Sequence, residues 1–385
     1  MNRLLDFQMS GRLIMGLGAL YELPAAVRRL EGSKALIVTD PGLVKAGVAG
    51  RVGEVLAGGG IEYAVFDGVE PDPRIEIVDA CLGAARDSRC DVLIGLGGGS
   101  SLDIAKMVSI LLTNGGQATD YVGIGRVPKR GQAKILIPTT AGTGSEVTPI
   151  AVLSDKAEHL KKGVVSEHLY ADVALIDPEL TVGLPPRITA YTGMDALTHA
   201  IEAYTNKYAQ PFIDTFALEA IRLIGENLRR AVACGEDVTA RYNMSLGSLY
   251  GGLCLGSVNT AAVHALAYPL GGTYDVPHGI ANALLLPYVM RFNMISDMTK
   301  FANIAIALGE VTDGLSLREA AELAVEAVEQ LCIDIGIVRR MRDLGIPEDA
   351  IDEMAEGAMK VTRLLVNNPR ALRIEDVRDI YRAAW

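Results

Sequence analysis

Between Thr192 and Tyr204 the chain reads TGMDALTHAIEAY, with Asp195 and His199 four residues apart in a strongly helical segment. That spacing puts a carboxylate and an imidazole on one helix face, about one turn apart, as a metal clamp requires. The same spacing also suits a plain hydrogen-bonded surface couple, so the pair alone leaves both readings open. A second stretch, VHALAYPLGGTYDVPHG, runs from Val263 to Gly279 and holds His264 and His278, two of only five histidines. Tyr268 follows His264 by four residues, repeating the one-face geometry. Between Arg241 and Asp275 there is no Asp, Glu, Lys or Arg. A charge-free run of that kind is expected to be buried, and buried imidazoles need partners. One carboxylate and three imidazoles form a borderline-to-hard site suited to Fe²⁺, Zn²⁺, Ni²⁺ or Mn²⁺. Pro269, Gly271 and Gly272 are expected to stop the helix that carries His264, and Pro277 to set His278 on a turn. His159 and His168 lie among charged residues and are expected to face solvent.

Two loops could hold a phosphate-bearing ligand. LIGLGGGSSLDIAK reads as strand, glycine cluster, helix, so Gly97, Gly98 and Gly99 would let a ligand approach the backbone closely. Ser100 and Ser101 would open a helix whose free N–H groups favour an anion. The run is neither G-x-G-x-x-G nor a P-loop, and many tight strand-to-helix turns look like it. PTTAGTGSE, Pro138 to Glu146, is a second polar loop after a strand. Asp40, at the end of the apolar run ALIVTD, could accept ribose hydroxyls and repel the extra phosphate of NADP. An aspartate before Pro41-Gly42 equally suits a helix cap or turn.

The elements that must position these residues fall into two textures. Lys34 to Asp40, Ile61 to Phe66, Asp91 to Gly97, Lys134 to Thr140 and Asp172 to Asp177 read as strands rich in Val, Ile and Leu. Amphipathic stretches alternate with them, which implies a mostly parallel sheet covered on both faces. Beyond Pro185-Pro186 nearly everything has helical periodicity. The expectation is an α/β nucleotide-binding domain over residues 1–185 and an all-helical domain over residues 186–385. The 385-residue length suits two domains.

A formal net charge of −11 argues against nucleic acid or an anionic membrane as partner. Asn243, Asn259, His264, Pro269 and the glycines make the charge-free window a poor lipid-facing helix. The N-terminus has no secretory-signal pattern. Five scattered cysteines with no CxxC spacing read as buried free thiols in a reducing cytoplasm.

GGGSSLDIAK, PTTAGTGSEVT, TGMDALTHAIEAY and HALAYPLGG…PHGIANALLLP occur in the order found in the iron-containing alcohol dehydrogenases, of the dehydroquinate synthase-like fold. The opening FQMSGRLIMGLGALYELP is similar too, so the resemblance covers essentially the whole chain. It implies that Asp195, His199, His264 and His278 hold one divalent metal, Fe²⁺ or else Zn²⁺ or another, in a cleft between the domains. It implies that NAD(H) is bound by Gly97, Gly98, Gly99, Ser100 and Asp103, with Thr139, Thr140, Thr143 and Ser145 on the nicotinamide side and Asp40 selecting NAD. Hydride transfer between nicotinamide and a small primary alcohol or aldehyde follows, in a cytoplasmic homodimer or larger homo-oligomer. Many members carry a second histidine where this chain has Tyr268, which therefore shapes the substrate pocket or relays the proton. Polyols, maleylacetate or sulfonated and phosphonated aldehydes are alternative substrates on the same scaffold. An inactive metal- or nucleotide-binding homologue is the alternative outside enzymes.

Overall fold

The computed structural model describes residues 4–155 and 160–385, so His159 lies outside the described residues. The chain forms two compact units. One is Gln8–Val182; the other is Gly183–Trp385 with the N-terminal segment ending at Phe7. The division between them falls after Val182. The N-terminal segment goes with the helical unit because Phe7 packs on Phe212 and Phe216, with ring centroids 4.9 and 6.1 Å away.

Among its described residues the first unit has nine strands: β1 (Leu13–Met15), β2 (Lys34–Val38), β3 (Glu62–Phe66), β4 (Val92–Gly97), β5 (Gly123–Ile124), β6 (Ala133–Pro138), β7 (Ile150–Asp155), β8 (Leu160–Val165) and β9 (Val173–Ile176). Six of them form a parallel sheet in the order β1-β9-β6-β4-β2-β3. Alternate residues of its strands enter opposite cores. Leu36, Val38, Leu93 and Leu136 join one apolar cluster, and Ala35, Ile37, Val92, Ile94, Ile135 and Ile137 the other. Continuous Val, Ile and Leu was the right signal because both faces are covered. The five expected strands are all present. β1 is too short for a pattern to show, and the small β5-β8-β7 sheet is masked by the lysines of LKKGVV.

The regular elements of the second unit are all helices among its described residues. The charge-free window is divided between the Val238–Val258 and Ala262–Tyr274 helices, which meet at 101°. Asn259 makes the break, with φ of 60°. No single helix among the described residues is long and apolar enough to cross a membrane.

Four local expectations are corrected here. The helix carrying His264 runs through Pro269, which forfeits only one backbone hydrogen bond, and ends where Asp275 turns left-handed at φ 50°. His278 is not on a turn but is the first residue of the His278–Asn293 helix, with Pro277 as its N-cap. Of the five cysteines, Cys81, Cys90, Cys254 and Cys332 are buried, whereas Cys234 is exposed. His168 is half-buried rather than fully solvent-facing.

Candidate functional site

Three helices bring the chemistry-bearing residues of the helical unit together. The Pro186–Thr205 helix contributes Asp195, His199 and Glu202, spaced i, i+4, i+7 on one buried stripe. The Ala262–Tyr274 helix contributes His264, and the His278–Asn293 helix contributes His278 and, one turn on, Asn282.

Asp195 Oδ1 lies 3.9 Å from His199 Nε2, 3.7 Å from His264 Nε2 and 3.7 Å from His278 Nε2. These separations are too long for hydrogen bonds. They are shorter than twice a metal–ligand bond of about 2.1 Å, so one ion can touch both atoms of each pair. Asp195, His199 and His264 offer donor atoms all within 4.8 Å of one another. The His199 and His264 rings stack at 4.8 Å, nearly parallel. His264 Nε2 is buried and has no hydrogen-bond partner among the described residues, the state of a lone pair that a cation would satisfy. The donor set therefore fits a divalent ion of borderline hardness. His278 stands at the open side, its side chain 30 % exposed.

The supporting shell explains why the ligands point inward. Glu202 accepts from His264 Nδ1 at 2.6 Å and from the backbone N–H groups of Ala261 (2.9 Å) and Val263 (2.6 Å). Its carboxylate thus ties two helices together and keeps the His264 proton on Nδ1, leaving Nε2 as the ligating nitrogen. Asn282 Nδ2 donates to Asp195 Oδ1 at 2.7 Å and lies 3.1 Å from His278 Nε2. Burial by itself would raise the Asp195 carboxyl, but the charges of His199, His278 and His264 and the Asn282 hydrogen bond bring it down to about 2. It is a carboxylate ready to bind. Sequence reasoning missed Glu202 and Asn282. Glu202 was detectable as the next member of the Asp195–His199 stripe; Asn282 carries no signal beyond its i+4 spacing from His278.

Tyr268 sits one turn beyond His264, and its hydroxyl accepts a hydrogen bond from Arg363 Nη2 at 2.8 Å. Arg363 lies far away in sequence and was not anticipated.

In the α/β unit, β2, β4 and β6 are neighbours, and their C-terminal ends carry Asp40, Gly97–Gly99 and the Thr139–Thr143 loop. That edge is where open parallel sheets bind nucleotides. The two polar loops meet. Thr139 N donates to Gly97 O at 3.0 Å, and a Cβ on Gly99 would come within 2.9 Å of Thr143 Cγ2. Gly97 has φ of 148° and a Cβ there would strike Ser101, so both positions require glycine. The Gly99–Asn114 helix has no side-chain cap, and Ser100 sits half-buried in its first turn, leaving N–H groups for an anion. Thr139 is buried, while Thr140 and Thr143 are half-buried. Asp40 Oδ1 caps the Pro41–Lys45 helix through Leu43 N at 3.1 Å.

Asp103 and Ser145, both buried, are hydrogen-bonded to each other. Asp103 Oδ1 accepts from Ser145 Oγ at 2.6 Å and Oδ2 from Val152 N at 2.9 Å. Lys106, fully buried, donates to Ser145 Oγ (2.7 Å), Thr148 Oγ1 (3.3 Å) and Ile150 O (2.7 Å). Burial raises the Asp103 carboxyl and lowers the Lys106 ammonium, each opposed by the other's charge. This network braces the two loops from behind.

The comparisons with known proteins agree across the chain. The family profile described as iron-containing alcohol dehydrogenase matches residues 10–178, and that of the Fe-containing alcohol dehydrogenase family, C-terminal, matches residues 189–385. A long-chain-alcohol dehydrogenase of Geobacillus thermodenitrificans is 45% identical over 374 residues, covering 96% of this chain and 94% of that protein. Among solved structures, a 1,3-propanediol oxidoreductase superposes with a TM-score of 0.97 at 42% identity, covering 100% of both chains. A sulfoacetaldehyde reductase from Bifidobacterium kashiwanohense, in complex with NAD⁺, superposes with a TM-score of 0.90 at 30% identity, covering 100% of this chain and 99% of that one.

Proposed function

The chain belongs to the iron-containing alcohol dehydrogenase family, and from that premise we propose that it interconverts a small alcohol and its aldehyde using NAD(H) and one divalent cation. Asp195, His199, His264 and His278 would hold the ion. The observation that carries this reading is the convergence of three imidazole Nε2 atoms on Asp195 Oδ1 at 3.7–3.9 Å. When bound, the ion supplies a Lewis acid that polarises a carbonyl oxygen and steadies the charge developing on it. NAD(H) supplies or receives the hydride.

The remaining work falls to this chain's own residues. Glu202 and Asn282 fix the orientation of His264 and Asp195, so the ligands are arranged before any ion arrives. Gly97, Gly98, Gly99 and Ser100 would meet the pyrophosphate with backbone N–H groups, and Thr140 and Thr143 would contact the nicotinamide side. Thr139, buried and bonded to Gly97, would set the spacing of the two loops. Asp103 and Ser145 would act through Lys106 on loop position rather than by touching the cofactor. Asp40 keeps Oδ2 for ribose hydroxyls while Oδ1 caps its helix, which supports NAD over NADP. Iron is the metal the family name supports. Assembly as a cytoplasmic homodimer or larger homo-oligomer belongs to the same reading.

The test is NADH oxidation with short aldehydes, alongside metal analysis, before and after chelation. Turnover that is lost with the metal and restored by adding Fe²⁺ or Zn²⁺ supports the reading. Bound metal without turnover on any aldehyde or alcohol overturns it.

A further inference from the structure

Arg363 is half-buried in the short Thr362–Leu365 helix. Its Nη2 donates to Tyr268 Oη at 2.8 Å, and its guanidinium carbon lies 5.9 Å from the centre of that ring. It forms no ion pair with a carboxylate among the described residues. That is unusual in a chain with 47 acidic residues against 36 basic ones, because a partly desolvated cation gains from a counter-charge. The backbone that carries Arg363 is firmly held. Asn367, one turn on, accepts at its backbone carbonyl from Lys207 N (2.8 Å) and donates to Thr260 O (2.8 Å) and Arg363 O (3.3 Å). The segment is thereby anchored to the backbone just before the helix that carries His264 and Tyr268.

A guanidinium has five N–H donors in a planar fork, and the bond to Tyr268 uses one. Because the Tyr268 oxygen is the acceptor, its own proton remains to be donated. Arginine fork and phenol proton thus form a set of donors with no carboxylate paired to it among the described residues. Tyr268 lies four residues after His264 on the same helix face, about 6 Å along the axis. A substrate whose carbonyl oxygen lies at the His264 Nε2 side would reach this donor set with a group a few bonds away.

We propose that Arg363 and Tyr268 form an oxyanion subsite, and that the substrate is a short aldehyde bearing a carboxylate, sulfonate or phosphonate. Bidentate pairing with the guanidinium orients the chain, and the Tyr268 hydroxyl donates to the same anion. Arg363 is a specificity residue under this assignment, since it touches the part of the substrate that does not react. The inference rests on the aldehyde reductase reading above and narrows its substrate.

The experiment measures kcat/KM with NADH for succinic semialdehyde, sulfoacetaldehyde and phosphonoacetaldehyde, against butyraldehyde and propionaldehyde, in wild type, Arg363→Leu, Arg363→Lys and Tyr268→Phe. The three acids separate carboxylate, sulfonate and phosphonate recognition. In wild type at least one acid is expected to exceed the neutral aldehydes about tenfold or more. Arg363→Leu is expected to lower that acid-to-neutral ratio by about 10- to 100-fold, mainly through KM. Arg363→Lys keeps charge but not the fork and should fall between, and Tyr268→Phe should lower the ratio several-fold. Methanesulfonate should inhibit wild type competitively with the preferred acid, a readout that needs no variant to fold. A wild-type preference for neutral aldehydes, or a ratio unmoved by Arg363→Leu in protein of normal metal content, would overturn the subsite. Absence of turnover on every aldehyde would instead overturn the reductase reading beneath it.

Discussion

Each unit buries a cluster of charged and polar groups, and the two clusters differ in whether they close. In the α/β unit Lys106, Asp103, Ser145 and Thr148 match donors to acceptors at 2.6–3.3 Å. In the helical unit Asp195 faces three imidazole nitrogens at 3.7–3.9 Å, and His264 Nε2 has no hydrogen-bond partner among the described residues. A closed network has nothing left to offer a ligand and serves as scaffold. An open one, with lone pairs converging on a point, is a binding site. A buried aspartate stands in both, and its partners decide its work: a lysine and hydroxyls match it in one, while three imidazoles face it beyond hydrogen-bond distance in the other.

The comparison breaks most visibly at His264. His264→Ala removes a ligand from the open cluster and should cut kcat/KM for aldehyde reduction by about 10³-fold or more, with the fold retained by circular dichroism. If turnover survived, the open cluster would not be the reaction centre. Lys106→Met attacks the closed cluster instead and leaves Asp103 buried without its cation. The cost is expected at about 3–5 kcal/mol of stability in denaturant unfolding, with metal content per folded chain unchanged. Metal loss in this variant would erase the distinction between scaffold and site.

Glu202→Gln probes the support of the open cluster. The amide can still accept a hydrogen bond but carries no charge, so His264 is held less firmly as an Nε2 ligand. Metal affinity, read by competition with a chromogenic chelator, should fall by about 10- to 100-fold. An unchanged affinity would confine Glu202 to holding the two helices together.

The smallest effect is expected at Lys134, a buried residue of the α/β unit whose ammonium donates to His168 O at 3.0 Å. Burial, with Arg130 and Lys106 adding to it, lowers its pKa from the usual lysine value to about 7. A folded pKa below the unfolded one means that stability is full above the unfolded value and declines as pH falls through about 7. Lys134→Met should therefore raise Tm more at pH 6 than at pH 9. An equal gain at both pH values would place the effect in packing rather than charge.

What could be read from sequence was local. Asp195 with His199, and His264 with Tyr268, declare themselves by i+4 spacing, and the parallel sheet by runs of Val, Ile and Leu. What could not be read depends on groups brought together from afar. Glu202 reaches His264 across 62 residues, and Arg363 reaches Tyr268 across 95. Asp103 and Ser145 sit within ligand-loop motifs, and only their hydrogen bonds reveal that they face each other and Lys106. Pro269 looked like a helix end, but the left-handed Asp275 sets the end.

The central claim is that Asp195, His199, His264 and His278 form one divalent cation site. Its most direct test is the metal stoichiometry of purified wild type and Asp195→Ala by inductively coupled plasma mass spectrometry after gel filtration. The expected result is close to one divalent ion per chain in wild type and under about a tenth of that in the variant. A variant that is folded and retains the wild-type ion would contradict the account.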